Sequence, residues 1–206
     1  VQAVAFLKQY RNILGSDNVS GGGMGSGNMF NAGNARIGGL EFMAQGDLVK
    51  PSSRQAYKMP IGISYTYTHA RFLEAFVNAG GDWGNGNIIK NDAVPFVTPH
   101  MFSFNMGYER KLWNITASGR YTGITRVKPS HGDYIMPSSA QALNNINALP
   151  AFFILDVSAN YKLNQSFSLF TQCGNVSNSK AIVANLPQGY RPNMPFSVLF
   201  GVKAQW

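Results

Sequence analysis

Eight basic or aromatic residues are the leading candidates for binding chemistry in this chain of 206 residues. They lie in, or next to, the long segments that separate alternating stretches of sequence, and they are Trp83, Arg120, Arg126, Lys128, His131, Tyr134, Tyr190 and Arg191. Cationic side chains attract anions, and a low-dielectric recess strengthens that attraction. These residues are candidates for a site that binds an anionic small ligand, although each one alone is more often a solvated loop residue than a ligand contact.

Patterns typical of catalysis and of metal binding are absent from the sequence. His69, His100 and His131 each stand apart from any Cys, Glu or second His at ligand spacing. No nucleophile elbow or carboxylate pair occurs, and the single cysteine, Cys173, excludes both an internal disulfide and a cysteine-based zinc site. The sequence therefore predicts a protein that is not an enzyme, with no catalytic residue, no metal site and no cofactor.

The charge balance limits the class of partner. Seventeen Lys and Arg against 9 Asp and Glu give a formal net charge of +8. Such a charge suits nucleic acid, anionic lipid or an anionic small ligand, but the basic residues are scattered singly and form no run or stripe. Nucleic acid is therefore the least expected of the three.

The composition favours strands over helices. The chain has 22 Gly, 14 Phe, 9 Tyr and 3 Trp but only 13% charged residues, a mixture that suits short strands and many turns. No apolar run reaches the roughly 18 residues of a spanning helix. Gln2, Lys8 and Gln9 stand where a signal peptide would be apolar, so we expect a mature chain or a fragment.

The last eleven residues show the clearest strand pattern. Phe196, Val198, Phe200, Val202, Ala204 and Trp206 alternate with Ser197, Gly201, Lys203 and Gln205. One apolar face and one polar face suit a barrel wall with lipid outside and water inside. The pattern predicts a membrane β-strand that ends at an aromatic rim.

Seven further segments alternate in the same way and bring the total to about eight strands. The predicted strands are 1–14, 35–47, 61–67, 102–108, 113–121, 153–162 and 166–173. Their connectors are tight near 110 and 164 and medium over 48–60, whereas those near 15–34, 72–99, 127–150 and 175–194 are long. Every long connector then falls at one end of the sheet. This asymmetry is typical of all-β transmembrane antiparallel barrels and is not expected of a soluble β-sandwich.

Four segments of the chain have the character of family motifs, and they are Asn34-Ala-Arg-Ile-Gly-Gly-Leu-Glu41, Pro95-Phe-Val-Thr-Pro-His100, Phe153-Ile-Leu-Asp-Val-Ser-Ala-Asn-Tyr161 and Gly189-Tyr-Arg-Pro-Asn-Met-Pro195. In this order and at these spacings they resemble the C-terminal barrel of TonB-dependent outer-membrane receptors, with the ferric-dicitrate and ferric-siderophore receptors as the most similar subgroup. The resemblance spans nearly the whole chain.

The resemblance also implies more protein than the 206 residues provide. Such receptors have a barrel of about 22 strands and an N-terminal plug, whereas this chain has room for about eight strands and no plug. A closed eight-stranded barrel would be filled by side chains, and an open wall in lipid needs further strands at both edges. We therefore expect residues 1–206 to be the C-terminal segment of a larger barrel domain.

The function that the resemblance implies is active transport across the bacterial outer membrane. The ligand would be an anionic iron chelate such as ferric citrate or a siderophore, although a chelate of nickel or another metal stays open. The expected partners are outer-membrane lipid, lipopolysaccharide and the TonB complex acting through a plug outside this sequence. The alternative is a stand-alone eight-stranded structural or adhesive barrel, which predicts a self-closed wall and no need for TonB.

Overall fold

The computed structural model describes residues 1–16, 29–31, 33–49, 52, 56–77, 87–138, 146–185 and 189–205. Two predictions lie outside the described residues. They are the ligand-binding role of Trp83 and the placement of Trp206 at the end of the last strand.

Sixteen strands make up the regular secondary structure of the described residues. Eight are long, and they are β1 (Gln2–Tyr10), β4 (Ala35–Val49), β5 (Tyr57–Phe72), β8 (His100–Arg110), β9 (Trp113–Thr122), β12 (Phe152–Lys162), β13 (Phe167–Gly174) and β16 (Ser197–Ala204). Eight are short, and they are β2 (Leu14–Ser16), β3 (Met29–Asn31), β6 (Phe76–Val77), β7 (Asn87–Ile88), β10 (Thr125–Arg126), β11 (Ala148–Leu149), β14 (Ile182–Ala184) and β15 (Arg191–Pro192). Within the part of the chain that the structure describes, no helix has the length and apolar character needed to cross a membrane.

The eight long strands form one antiparallel sheet in the order β1-β4-β5-β8-β9-β12-β13-β16. Each strand pairs with the next long strand along the chain, so the predicted antiparallel β architecture is confirmed. The strand predicted at 61–67 extends in both directions, over Tyr57–Phe72. The strand predicted at 1–14 ends at Tyr10, because Asn12 adopts a left-handed backbone with φ of 52°.

The register gives the sheet one apolar and one polar face. Val157 lies opposite Ala117 and Cys173, while the next residue, Ser158, lies opposite Thr116 and Gln172. We call the side that carries Val157 the outward face and the side that carries Ser158 the inward face. Large apolar side chains dominate the outward face, as a lipid-facing wall requires.

Polar contacts join neighbouring strands on the inward face. The hydroxyl oxygens of Ser64 and Ser103 are 2.7 Å apart, and the Ser118 hydroxyl donates to Asn105 Oδ1 at 2.7 Å. Near the short-connector end, Lys58 Nζ lies 3.5 Å from Asp47 Oδ1. These side chains satisfy one another on a surface that faces water.

A glycine on the outward face allows one close contact between aromatic side chains and the backbone. The ring of Phe104 lies over Gly119 of the neighbouring strand, and any side chain at that position would overlap the ring. Phe104 also stacks on Phe153, with ring centroids 6.4 Å apart. Gly119 therefore fixes the aromatic packing of β8, β9 and β12 on the lipid side.

The sheet is open in the described residues. β1 pairs only with β4 and β16 pairs only with β13, so the two edges do not meet. The described structure does not form the self-closed wall that the alternative of a stand-alone barrel predicts. Unpaired backbone groups cost several kcal/mol each in lipid, so both edges need partners there.

The connectors confirm the predicted asymmetry. Loops 11–34, 73–99, 123–151 and 175–196 leave the sheet at one end, whereas 50–56, 111–112 and 163–166 connect strands at the other. This arrangement places most of the predicted binding residues at the same end of the sheet.

Candidate functional site

The first two long loops share a buried cluster at the end of the sheet. Ala35, Phe72 and Ile88 are buried together, and three partly buried side chains pack against them, namely Ile13, Phe76 and Val94. Ile13 belongs to loop 11–34, while Ile88 belongs to loop 73–99. The two loops are therefore packed on each other and on the ends of β4 and β5.

Backbone hydrogen bonds join the second long loop to the third. Ala93 N–H donates to the Ser130 carbonyl at 3.0 Å, and Phe96 N–H donates to the Arg126 carbonyl at 2.7 Å. These bonds hold loops 73–99 and 123–151 side by side, and the link does not depend on side chains.

A second buried cluster joins the third long loop to the fourth. Val127, Ile146 and Leu149 are buried together, and Ile182 and Tyr190 of loop 175–196 pack against them. The described parts of all four long loops thus form one continuous surface, which we call the loop platform. Because its members support one another, a ligand would meet a largely preformed surface.

Asn175 anchors the fourth loop to the sheet. Its backbone N–H donates to Asp156 Oδ1 at 2.8 Å, and its side-chain amide donates to the carbonyls of Ser179 and Met194 at 2.9 and 3.0 Å. Ser179 N–H donates back to Asn175 Oδ1 at 2.9 Å. Asn suits this position because it tolerates the left-handed backbone, here with φ of 48°.

Arg126 stabilises the third loop from within. Its side chain is 8% exposed, and its guanidinium donates to Ser130 Oγ at 2.9 Å and to the Gly132 carbonyl. The guanidinium also lies over the Tyr134 ring, 4.3 Å from the centroid. Contacts within the loop therefore occupy several hydrogen-bond donors of Arg126 and one face of the Tyr134 ring. Contact of Arg126 with a ligand stays a prediction.

His131 is held by a residue that the sequence did not suggest. Its Nδ1–H donates to Asp92 Oδ1 at 2.6 Å, and Asp92 is 4% exposed. The other carboxylate oxygen of Asp92 accepts from Ile89 N–H at 3.0 Å. The His131 side chain is 61% exposed, so the pair orients an imidazole toward solvent at the junction of loops 73–99 and 123–151.

The sequence predicts a turn at Asp92 but does not predict the contact between Asp92 and His131. Asp92 follows Asn91, which has a left-handed backbone, and these two residue types are typical of turns. A turn is predictable from that pair, but the contact with His131 crosses 39 residues of chain. The pairing depends on how two loops pack and has no local signature.

Arg120, Tyr190 and Arg191 also lie at the long-loop end of the sheet. Arg120 is exposed on the inward face of β9, opposite Ser103 and Ile154. Arg191 is exposed and begins β15, while Tyr190 packs on the second cluster. The structure thus brings Arg126, His131 and Tyr134 together on loop 123–151, which also carries Lys128, and places Arg120, Tyr190 and Arg191 on other elements.

Burial changes the acid–base behaviour of two platform residues. Partial burial lowers the pKa of the Lys128 ammonium below its ordinary value, because loss of water disfavours the charged form. Burial raises the pKa of the Tyr190 phenol for the same reason, so the phenol keeps its proton. An anion beside Lys128 would offset part of the lost hydration, and protonated Tyr190 can donate a hydrogen bond.

The described residues offer binding chemistry and no cluster suited to holding a bare metal ion. No group of three or more His, Cys, Asp or Glu in the described ranges has the geometry to hold one. The groups at this end are guanidinium, ammonium, imidazole and phenol donors on packed loops. Such groups can bind an anion by charge-assisted hydrogen bonds.

We expect Arg126→Gln to loosen the third loop without affecting the sheet. The substitution removes the charged donor from Ser130 Oγ and from the Gly132 carbonyl, and a hydrogen bond to a charged group contributes about 1.5–3 kcal/mol. Hydrogen–deuterium exchange should therefore become at least about tenfold faster in residues 127–135, since tenfold corresponds to about 1.4 kcal/mol.

Arg110→Gln is the matched control, because Arg110 is an exposed arginine at the opposite end of the sheet. Exchange in β9 and β12 should stay unchanged in both variants. Equal exchange of residues 127–135 in the wild type and in Arg126→Gln would show that the guanidinium does not hold the loop.

A family model matches most of the chain. The family is described as TonB dependent receptor-like, beta-barrel, and the match covers residues 1–176, from β1 through β13. A search of curated proteins returned no match.

Solved structures of bacterial transport proteins contain a similar sheet. The ferric-catecholate import receptor Fiu from K12 E. coli, in its closed form, is 18% identical with a TM-score of 0.61, and the alignment covers 98% of this chain and 24% of Fiu. The unliganded ferric citrate transporter FecA is 17% identical with a TM-score of 0.65, covering 98% of this chain and 28% of FecA. The copper transporter OprC is 13% identical with a TM-score of 0.58, covering 98% and 28%.

These likenesses concern the fold, because all three identities are low. The chain spans 24 to 28% of the length of these solved proteins. The similarity therefore extends over nearly the whole chain but only about a quarter of each of them.

Proposed function

The chain belongs to the TonB-dependent receptor-like β-barrel family and lies in the bacterial outer membrane, and on that premise we propose that it is the C-terminal part of the barrel of an active transporter for an anionic iron chelate. One observation carries the proposal. An open sheet with a lipid-type outward face presents a joined, basic loop platform at one end.

The unpaired edges of the sheet support the proposal that the chain is part of a larger barrel. β1 and β16 each have one free edge in the described structure, and lipid offers no hydrogen bonds to such edges. Further strands would complete a barrel of about 22, a size that encloses a plugged lumen. The inward face, with polar side chains such as Asn105, Ser118 and Ser158, suits a water-filled lumen that surrounds a plug.

The ligand class follows from the charge of the platform. Iron held by citrate or catecholate groups is anionic, and the platform combines cations with phenol and imidazole donors. We propose that the ligand contacts are drawn from Trp83, Arg120, Arg126, Lys128, His131, Tyr134, Tyr190 and Arg191. Arg126 would act partly through the loop that it holds, because buried contacts occupy much of its guanidinium.

The ligands named for similar structures indicate the range of ligands to test. Fiu is described as a ferric-catecholate receptor, FecA as a ferric citrate transporter and OprC as a copper transporter. A basic platform favours the anionic ferric chelates over a bare cation. Energy would come from the TonB complex acting on the plug, and lipopolysaccharide would surround the barrel.

An uptake assay tests the proposal. Cells that produce the full-length protein should accumulate radiolabelled iron from ferric citrate or from a ferric catecholate when TonB is present, and not when TonB is deleted. The reason is that a plugged barrel passes its ligand only when the plug is actively displaced. Attachment of cells to surfaces with no TonB-dependent accumulation of either chelate would instead favour the adhesive alternative.

A further inference from the structure

We propose that a cleft on the outward face, formed by Arg36, His69 and Arg71, binds a phosphate group of a phosphorylated lipid in the leaflet at the long-loop end of the barrel. The proposal rests on insertion in the membrane and not on the transported ligand. It therefore stands or falls separately from the transport proposal.

The strand register places all three side chains on the lipid side of the wall. On β5, Tyr65 and Tyr67 point outward, and alternation puts His69 and Arg71 on the same side. Arg36 lies directly opposite Arg71 on β4. Both arginines are one residue from the long-loop end of their strands.

This height on the wall matches the boundary between acyl chains and headgroups. Arg71 is four residues beyond Tyr67, or about 13 Å along the strand. Below it, the Tyr65 hydroxyl and His100 Nδ1 share a hydrogen bond at 2.8 Å, and the rings of Tyr67 and His100 lie 5.2 Å apart. Amphipathic rings of this kind mark the membrane interface, so the arginines lie at headgroup level.

The two arginines face each other with like charges, and their repulsion needs a compensating negative charge. Like charges directly opposite on neighbouring strands destabilise a sheet. Neither Arg36 nor Arg71 takes part in a salt bridge among the described residues. Arg71 Nη1 is moreover buried and has no hydrogen-bond partner. A bound anion beside the two guanidinium groups would neutralise the repulsion.

The shape of the cleft favours a lipid over a free anion. Its volume is about 390 Å³, and apolar side chains line it beside the three basic residues, namely Leu7, Leu40 and Tyr67. Leu7 and Leu40 are exposed on the outward face. A lipid whose phosphate lies between the arginines would place its acyl chains on this apolar strip. The strip continues toward the middle of the sheet. The cleft thus matches a molecule with an anionic head and an apolar tail.

Binding of defined lipids to the full-length protein tests the proposal. Native mass spectrometry in a neutral detergent would compare lipid A, lipid A stripped of its phosphates, and inorganic phosphate. We expect lipid A to bind, and Arg36→Gln and Arg71→Gln each to weaken that binding at least about tenfold, as expected for loss of a charge-assisted hydrogen bond. Dephosphorylated lipid A and inorganic phosphate should bind far more weakly than lipid A.

Arg110→Gln is again the matched control, since Arg110 is outward-facing at the opposite rim. This variant should bind lipid A as the wild type does. The proposal is overturned if dephosphorylated lipid A binds as well as lipid A, if inorganic phosphate binds as tightly, or if the three variants lose affinity equally. Heat-modifiable gel mobility of each variant distinguishes a lost site from a misfolded barrel.

Discussion

The substitution Val157→Lys should strongly destabilise the inserted barrel. Val157 lies near the middle of β12 on the outward face, between Ala117 and Cys173. A lysine on the lipid side near the bilayer midplane costs about 2–4 kcal/mol. Such a loss is a large part of the stability of an ordinary domain. Urea titration of the full-length protein refolded in lipid vesicles, followed by heat-modifiable gel mobility, measures the effect.

The neighbouring substitution Ser158→Lys provides the matched control. Ser158 has the same depth and the same strand but faces inward, opposite Thr116 and Gln172. An inward lysine stays in water, so its effect should remain within about 0.5 kcal/mol. If Ser158→Lys were the more damaging of the two, the assignment of lipid and lumen faces would be reversed.

The architecture was largely predictable because its signal is local. Side chains alternate with a period of two, so each strand reveals its two faces without knowledge of its neighbours. Phe196, Val198 and Phe200 show this in the last strand, and residues 163–166 show that a short connector predicts an adjacent pair. The strand lengths were less predictable. His69 and Arg71 break the apolar alternation of β5, so the sequence pattern ends before the hydrogen-bonded strand does.

The candidate site was predictable in residue type but not in arrangement. Charge and loop position selected Arg126, yet its guanidinium is buried among loop carbonyls, which depends on the path of residues 127–134. Asp92 was missed because its partner, His131, is on another loop. The pair Arg36 and Arg71 was missed because only the register shows that the two charges are opposite each other. Contacts between distant segments have no local pattern from which to predict them.

Neutralising two platform cations together with Arg120, which lies beside the platform on the inward face of β9, should abolish most chelate binding. We expect Arg120→Gln, Lys128→Gln and Arg191→Gln, combined in one variant, to weaken binding of ferric citrate or of a ferric catecholate on the order of 100-fold. The three cations lie on different elements, so no single loop rearrangement can replace them. The salt dependence of the association rate should also decrease, because long-range attraction from these charges is screened by salt.

A control with the same change in net charge separates local contacts from the general charge of the protein. Arg110, Lys111 and Lys162 are exposed at the short-connector end, and changing all three to Gln removes the same number of charges there. Titration of each variant with the chelate at two salt concentrations measures both effects. If the two triple variants bind equally, net charge alone attracts the chelate and the platform provides no specific contact. If only the platform variant loses affinity, the packed loops form the binding surface, because the barrel wall is the same in both.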